Sequence, residues 1–241
     1  MRKTHWMWRF AALVFVAGLA LVASPASTQT TIPPECVVPA NTMGTVTLPP
    51  AGCKYLSPDQ VHLIIDGLPP DTVIVLDTIH QDFICRTGGG LPCNQPGGPL
   101  GGEVENFSSV GTLKVSGTGA LKGLQKTINV PLTVQTAVGP RTAGAPVQTF
   151  PTEMVRLQGS ISGDSVFDFL EITGGSANGF PSPGSTTLTR RADGKFTVDS
   201  SFEVGYRIKF IGAPGGPLAG RSGATTGTVN MKAVSQSAPG C

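Results

Sequence analysis

The fifteen residues 196–210, FTVDSSFEVGYRIKF, alternate between two kinds of side chain without interruption. Successive side chains of a β-strand point to opposite faces, so this pattern predicts a long strand with one face on a core and the other in water. A strand of this kind is typical of an antiparallel sheet. The predicted buried face carries Phe196, Val198, Ser200, Phe202, Val204, Tyr206, Ile208 and Phe210.

Shorter apolar or alternating runs recur along the chain and predict further strands. Clusters of Gly and Pro separate these runs, and the two residue types account for 53 of the 241 residues. Because they fall between the runs, we interpret them as turns, with Asp193-Gly194 closing a tight hairpin. The predicted strands span 72–79, 111–117, 128–136, 154–161, 165–173, 186–191, 196–210 and 225–233, with a short one at 45–48.

The number and spacing of these strands predict an all-β fold. We expect an antiparallel β-sandwich, or a partly open barrel, with one short N-terminal helix at residues 58–66. The helix is predicted because Ser57-Pro58-Asp59-Gln60 matches a capping box with Pro at the first helical position, and Gly67 follows as a C-terminal stop.

The chain divides into three predicted parts. Residues 1–26 form a signal peptide, 27–52 a Pro-rich segment and 53–241 a β-rich domain. Weak internal similarity at an offset of about 93 residues suggests that 53–140 and 141–241 are duplicated halves. One pair of similar segments is Ala120-Leu121-Lys122-Gly123 and Pro217-Leu218-Ala219-Gly220. Loop insertions in a duplicated unit would explain the drift in this offset, but strands separated by Gly turns also produce such similarity by chance.

The N-terminus has the features of a secretory signal. Arg2, Lys3 and Arg9 precede a thirteen-residue apolar run, Phe10 to Val22, and Ser24-Pro25-Ala26 resembles a cleavage site. The run is too short to span a bilayer comfortably. We therefore expect a mature chain without a membrane span that is secreted, periplasmic or bound to the cell surface.

Removal of the signal changes the charge balance. The full chain has a formal net charge of +2, but three of its seventeen basic residues lie in the signal and none of its fifteen acidic residues does. The mature chain is slightly acidic, so electrostatic attraction to nucleic acid is not expected. The expected partner is an unidentified protein or a component of the extracellular matrix or envelope.

Five cysteines remain after the signal. In an oxidising compartment, sequence proximity favours the disulfide bonds Cys36–Cys53 and Cys85–Cys93. Cys241 is then left over, as a free thiol, an intermolecular bridge that would allow an oligomer, or an alternative partner for Cys36.

The segment 80–93 holds the densest group of chemically reactive side chains. A metal-binding interpretation would use His80, Cys85 and Cys93 as ligands, with Asp82 beside them. The alternative, which we favour, is a disulfide-bonded Gly-rich loop that carries an exposed His80. We therefore predict no metal site, no cofactor and no catalytic residue.

Catalytic motifs are scarce in this sequence. The mature chain has only His62 and His80 as candidate bases, and no Gly-x-Ser-x-Gly elbow, Walker loop or His-Glu-x-x-His motif occurs. Pairs of carboxylates could catalyse glycoside hydrolysis if they converged in a cleft. The acids considered for this role are Asp164, Asp168, Glu171, Asp199 and Glu203.

These observations favour an exported, non-catalytic β-protein that serves as a structural or interaction module. The first alternative is an extracellular hydrolase or lyase that uses carboxylates on the sheet face. A metal-binding protein centred on His80 is the second alternative.

Overall fold

A computed structural model of the protein describes residues 34–57, 62–85 and 93–237. These residues belong to one compact unit. Strands dominate it, and the described residues contain no helix long and apolar enough to cross a membrane. The strands are β1 (Cys36–Val38), β2 (Cys53–Leu56), β3 (His62–Ile64), β4 (Ile74–Cys85), β5 (Asn94–Pro96), β6 (Glu103–Gly117), β7 (Gln125–Val138), β8 (Val147–Ser162), β9 (Phe167–Gly174), β10 (Pro183–Arg190), β11 (Phe196–Gly212) and β12 (Ser222–Ser235).

The strands form one antiparallel sheet that closes on itself as a barrel. Eight strand positions follow one another around the barrel. In order, they are held by β2 and β3 together, β4, β6, β7, β8, β9 and β10 together, β11, and β12. Pairing of β12 with β2, and of β2 with β4, completes the ring. Closure gives most strands partners on both sides and so removes the exposed sheet edges that favour aggregation.

Some of these strand positions are held by two strands that lie end to end and are separated by other residues of the chain. On one side of β8, its first half pairs with β10 and its second half with β9. The strands β2 and β3 likewise lie end to end along β4. The short β5 continues the line of β4 along β6, and the Cys85–Cys93 disulfide joins the two.

Strand β11 confirms the pattern from which the fold was predicted. All eight side chains of the predicted inner face are buried, from Phe196 at one end to Phe210 at the other. The Asp193-Gly194 hairpin is also present, because the amide of Arg191 donates to the carbonyl oxygen of Lys195 at 2.8 Å. The other seven long strand predictions each overlap an observed strand.

Three expectations of the sequence differ from the structure. The sheet closes fully into a barrel, whereas the sequence predicted either a two-layered sandwich or a barrel that is partly open. The predicted helix at 58–66 is not formed in its described part, because His62–Ile64 pairs with Leu76, Val75 and Ile74 as strand β3. Residues 58–61 lie outside the described residues. Residues 45–48 are not a strand and form part of a turn-rich segment.

The buried side chains form two main clusters inside the barrel. The larger one fills the interior down to one end, where Leu121 and Leu218 from two turns pack beneath the strands. The smaller one lies at the opposite end. There, Val46 and Leu48 pack against the strand ends that surround Phe150 and Phe196. We call residues 36–50 the cap segment, because they cover this end of the barrel.

Candidate functional site in the barrel interior

The barrel encloses a cavity of about 70 Å³ beneath the cap segment. One water needs roughly 10–15 Å³ of such space, so there is room for several waters or a small organic molecule. Eight-stranded barrels are of the size that either fills with side chains or holds one small ligand. The wall is mainly apolar, and includes Phe83, Phe107, Leu113, Leu132, Met154, Leu157, Ile172, Phe202, Val204, Ile208, Val229 and Met231.

Polar side chains interrupt this apolar wall. The hydroxyl of Tyr55 donates to Oγ of Ser200 at 2.9 Å, and Oγ of Ser200 lies 2.7 Å from Oγ1 of Thr186. The hydroxyl of Thr136 donates to Oε2 of Glu105 at 2.8 Å. These groups project inward from β2, β6, β7, β10 and β11, so they belong to the wall and not to one loop.

Four other polar atoms on the wall are buried and have no hydrogen-bond partner in the part of the chain that the structure describes. They are Oε1 of Glu105, Oγ1 of Thr152, Oγ1 of Thr78 and Nδ1 of His62. Burial of an unsatisfied polar group costs about 1–3 kcal/mol. Several such groups around one cavity are typical of a wall that exchanges hydrogen bonds with a bound molecule.

Glu105 is the one carboxylic acid among the described residues that line the cavity. Its side chain is 3% exposed, and burial raises its pKa from 4.5 to about 8, although the hydrogen bond from Thr136 opposes this shift. A buried carboxyl without a cationic partner favours its neutral form. Glu105 therefore carries a proton at pH 7 in the absence of another charge.

Burial also keeps both cavity histidines neutral. It lowers the pKa of His80 and of His62 from 6.5 to about 4. Nε2 of His80 lies 2.5 Å from Oγ of Ser109, and the ring of His62 packs edge-on against Tyr206, with 4.2 Å between centroids. Burial raises the pKa of Tyr55, and the nearby charge of Glu105 adds to this effect.

Aromatic rings form a connected group along one side of the cavity. Phe83 makes edge-to-face contacts with Tyr55, His80 and Phe107, with centroids 5.9, 5.1 and 5.7 Å apart. Tyr55 also contacts Phe202 at 5.7 Å. Phe107 is the inward residue that follows Glu105 on β6. The acid and the rings therefore share one region of the wall.

The cap segment is fixed to the rim of the barrel by hydrogen bonds. Gln148 accepts a hydrogen bond from the hydroxyl of Thr45 at 2.7 Å and donates to the carbonyl of Gly44 at 3.0 Å. Arg141 donates to the carbonyl of Val46 at 2.8 Å and forms an ion pair with Glu103. The disulfide Cys36–Cys53 ties the same segment to β2. Leu48, Pro49 and Pro50 complete the cavity wall.

The His80–Ser109 pair has only part of a hydrolytic site. A serine nucleophile needs a base that is itself oriented by a third group, commonly a carboxylate on the other ring nitrogen. Among the described residues, Ser109 is the only hydrogen-bond partner of the His80 ring. The pair therefore matches a buried hydrogen bond more closely than a catalytic triad.

The acids considered for glycoside hydrolysis do not converge. Asp168, Asp199 and Glu203 are exposed on the outer face of the barrel, and none of them lines the cavity. Glu171 lies on the outer surface near Arg207. Asp164 has a structural role, since it accepts hydrogen bonds from the amides of Val166 and Phe167 and pairs with Lys126.

The residues grouped for a metal site are also separated by the fold. Cys85 and Cys93 form a disulfide, as do Cys36 and Cys53, which are the pairs favoured by sequence proximity. His80 faces the cavity, so the expectation that it is exposed is wrong. Strand β4 continues beyond Ile79, and its alternation turns the side chain of His80 inward. Asp82 accepts a hydrogen bond from Gln236 at 2.9 Å. Cys241 lies outside the described residues.

The sequence does not reveal Glu105, Tyr55 and Thr136 as site residues. The strand prediction began at Gly111, whereas β6 begins at Glu103 and carries its inward alternation through Glu105, Phe107 and Ser109. That alternation was the available signal, because a Glu in phase with buried Phe and Leu residues belongs to the inner face. Without barrel closure, however, nothing brings residues from so many strands together.

In comparisons with known proteins, no family model, curated protein or solved structure matches this chain.

Proposed function

We propose that this protein is an exported, non-catalytic binding protein that holds a small, mostly apolar molecule inside its barrel. The observation that carries the proposal is the apolar cavity with unpartnered buried polar atoms on its wall. Apolar pockets with a few placed polar groups are the usual form of small-molecule sites. The interaction role expected from the sequence thereby becomes a ligand-binding role.

The two disulfide bonds agree with an exported protein, because such bonds persist in oxidising compartments. The signal-like N-terminus supports the same location. A binding role is favoured over hydrolysis because the exposed acids do not converge and the His80–Ser109 pair has no third member among the described residues.

Binding of a neutral probe tests the proposal. Benzyl alcohol combines an apolar ring with one hydroxyl, and we expect it to bind at up to millimolar concentration in calorimetry and saturation-transfer NMR. Val204 lines the cavity and is 4% exposed, so Val204→Phe should fill the space and abolish binding. The cost to stability of such overpacking is about 1–3 kcal/mol.

The matched control is Ile211→Phe on the same strand. Ile211 is 43% exposed on the outer face, so this substitution adds a ring without entering the cavity. Equal loss of binding in both variants would contradict a site in the barrel interior. Absence of binding to the wild-type protein by benzyl alcohol, benzylamine and phenylacetate alike would overturn the proposed function.

A further inference from the structure

The cavity wall has one acidic side chain and no Lys or Arg among the described residues. The acidic side chain is that of Glu105. An anionic ligand, such as a carboxylate, would meet no cation there and would be repelled by Glu105 whenever that residue is ionised. The wall therefore selects against anions and leaves an acid available to a cation.

We propose that the ligand is a small hydrophobic amine whose ammonium group forms an ion pair with Oε1 of Glu105. This inference rests on the proposed function, because it names the class of molecule that the barrel interior holds. Oε1 is buried and has no partner among the described residues, whereas Oε2 is held by Thr136. An ammonium group supplies the donors that this oxygen lacks.

The aromatic rings near Glu105 favour the same chemistry. Phe107 follows Glu105 on the inner face of β6, and Phe83, Tyr55 and Phe202 continue the group of rings. Ring faces attract cations, and desolvated sites strengthen this attraction. Rings also pack well against the apolar body of an amine. The hydroxyls of Thr78 and Thr152 provide further acceptors on the wall.

Binding of an amine should be linked to the protonation of Glu105. The titratable groups that face this space are Tyr55 on β2, His62 on β3, His80 on β4 and Tyr206 on β11; the described lining residues of β7, β8, β9, β10 and β12 include none. Both histidines are neutral at pH 7, so neither competes for the carboxylate. An incoming cation stabilises ionised Glu105 and releases its proton, so affinity should rise from pH 6 toward pH 8.

The test compares three probes of similar size: benzylamine, benzyl alcohol and phenylacetate. Calorimetry of the full chain should rank benzylamine first and phenylacetate last at pH 8. In Glu105→Gln, which keeps the shape and one hydrogen bond but loses the charge, affinity for benzylamine should fall at least tenfold. Affinity for benzyl alcohol should stay within about twofold, since a neutral hydroxyl gains little from the charge.

The control variant is Glu203→Gln on the outer face of β11, which should leave all three affinities unchanged. Calorimetry in buffers of different ionisation enthalpy should detect proton release with benzylamine for the wild type and none for Glu105→Gln. If benzyl alcohol binds as tightly as benzylamine, or Glu105→Gln leaves the amine unaffected, the amine inference is refuted while the proposed binding function stands. If no probe binds, both are refuted.

Discussion

Replacement of Glu105 by Gln should change how the stability of the protein depends on pH. The pKa of Glu105 is 4.5 in an unfolded chain and about 8 in the fold, because burial disfavours its charge. Between these values the folded state binds the proton and the unfolded state does not. The contribution of Glu105 to stability is therefore fully present below pH 4.5 and is lost as pH rises through 8.

The expected size follows from the shift. Each pKa unit corresponds to about 1.4 kcal/mol, so the full shift is worth roughly 5 kcal/mol as an upper bound. From pH 6.5 to pH 8, where the folded group begins to ionise, the wild type should lose about 1.5–2 kcal/mol of unfolding free energy. Glu105→Gln has no proton to release and should lose none of this amount.

The buried histidines act in the opposite direction at lower pH. Their pKa values are about 4 in the fold and 6.5 when unfolded, so their contribution is present above pH 6.5 and lost as pH falls toward 4. Between about pH 4.5 and pH 6.5, the two histidines together change the free energy of unfolding more than Glu105 does. Stability of the wild type should therefore be greatest between about pH 6 and pH 7.

Urea unfolding of both proteins at pH 6.5, 7.3 and 8 measures the effect, with Glu203→Gln as the control on the outer face. The difference between wild type and Glu105→Gln removes contributions common to both, including those of the histidines. A difference that stays constant from pH 6.5 to pH 8 would refute a buried, uncompensated carboxyl at Glu105.

Three further predictions concern parts of the fold that surround the cavity. Tyr55→Phe and Ser200→Ala should each cost about 1 kcal/mol in urea unfolding, and the double variant should cost less than the sum because both remove the same hydrogen bond; strict additivity would contradict that bond. Replacing Cys36 and Cys53 by Ala opens a loop of 17 residues and should cost about 3 kcal/mol. It should also speed hydrogen exchange at the amide of Gly144, which donates to the carbonyl of Gly44 in the cap segment, whereas unchanged exchange would show that the disulfide does not hold the cap segment in place. Gly212→Ala should destabilise the protein by about 2 kcal/mol or more, since its Cβ would collide with the backbone carbonyl of Leu218, and a neutral effect beside Ile211→Ala would contradict that packing.

The strands of this protein could be predicted from the sequence because the alternation of apolar and polar residues is a local signal. Strand β11 shows it most clearly, and the polar outer face of Asp199, Glu203, Arg207 and Lys209 is solvated as the alternation predicts. Closure of the sheet into a barrel could not be predicted in the same way. It depends on the pairing of β2 with β12, which joins residues far apart in sequence.

The predicted helix failed for a related reason. Ser57 to Gln60 and Gly67 form local start and stop signals, yet His62–Ile64 gains more by pairing with β4 and burying Ile64 in the barrel. Local propensity is a weak prior that tertiary contacts override. The same strand brings His62 into the cavity, so the error in secondary structure concealed a site residue.

The internal duplication stays a prediction, and it would relate two turns at one end of the barrel. Leu121 follows β6 and Leu218 follows β11, and both are buried beneath the same end of the barrel. Each packs closely on a glycine at the end of the preceding strand, Gly117 and Gly212. These two turns would be equivalent if each half of the chain supplied four consecutive strand positions of the barrel.

Intermolecular NOEs between benzylamine and the isotope-labelled protein test the central claim most directly. We predict contacts from the benzyl ring to the rings of Phe107 and Phe202, with Tyr55 as a further neighbour, and their loss in Val204→Phe. Contacts confined to side chains of the outer face, such as Ile211, would contradict a binding site inside the barrel.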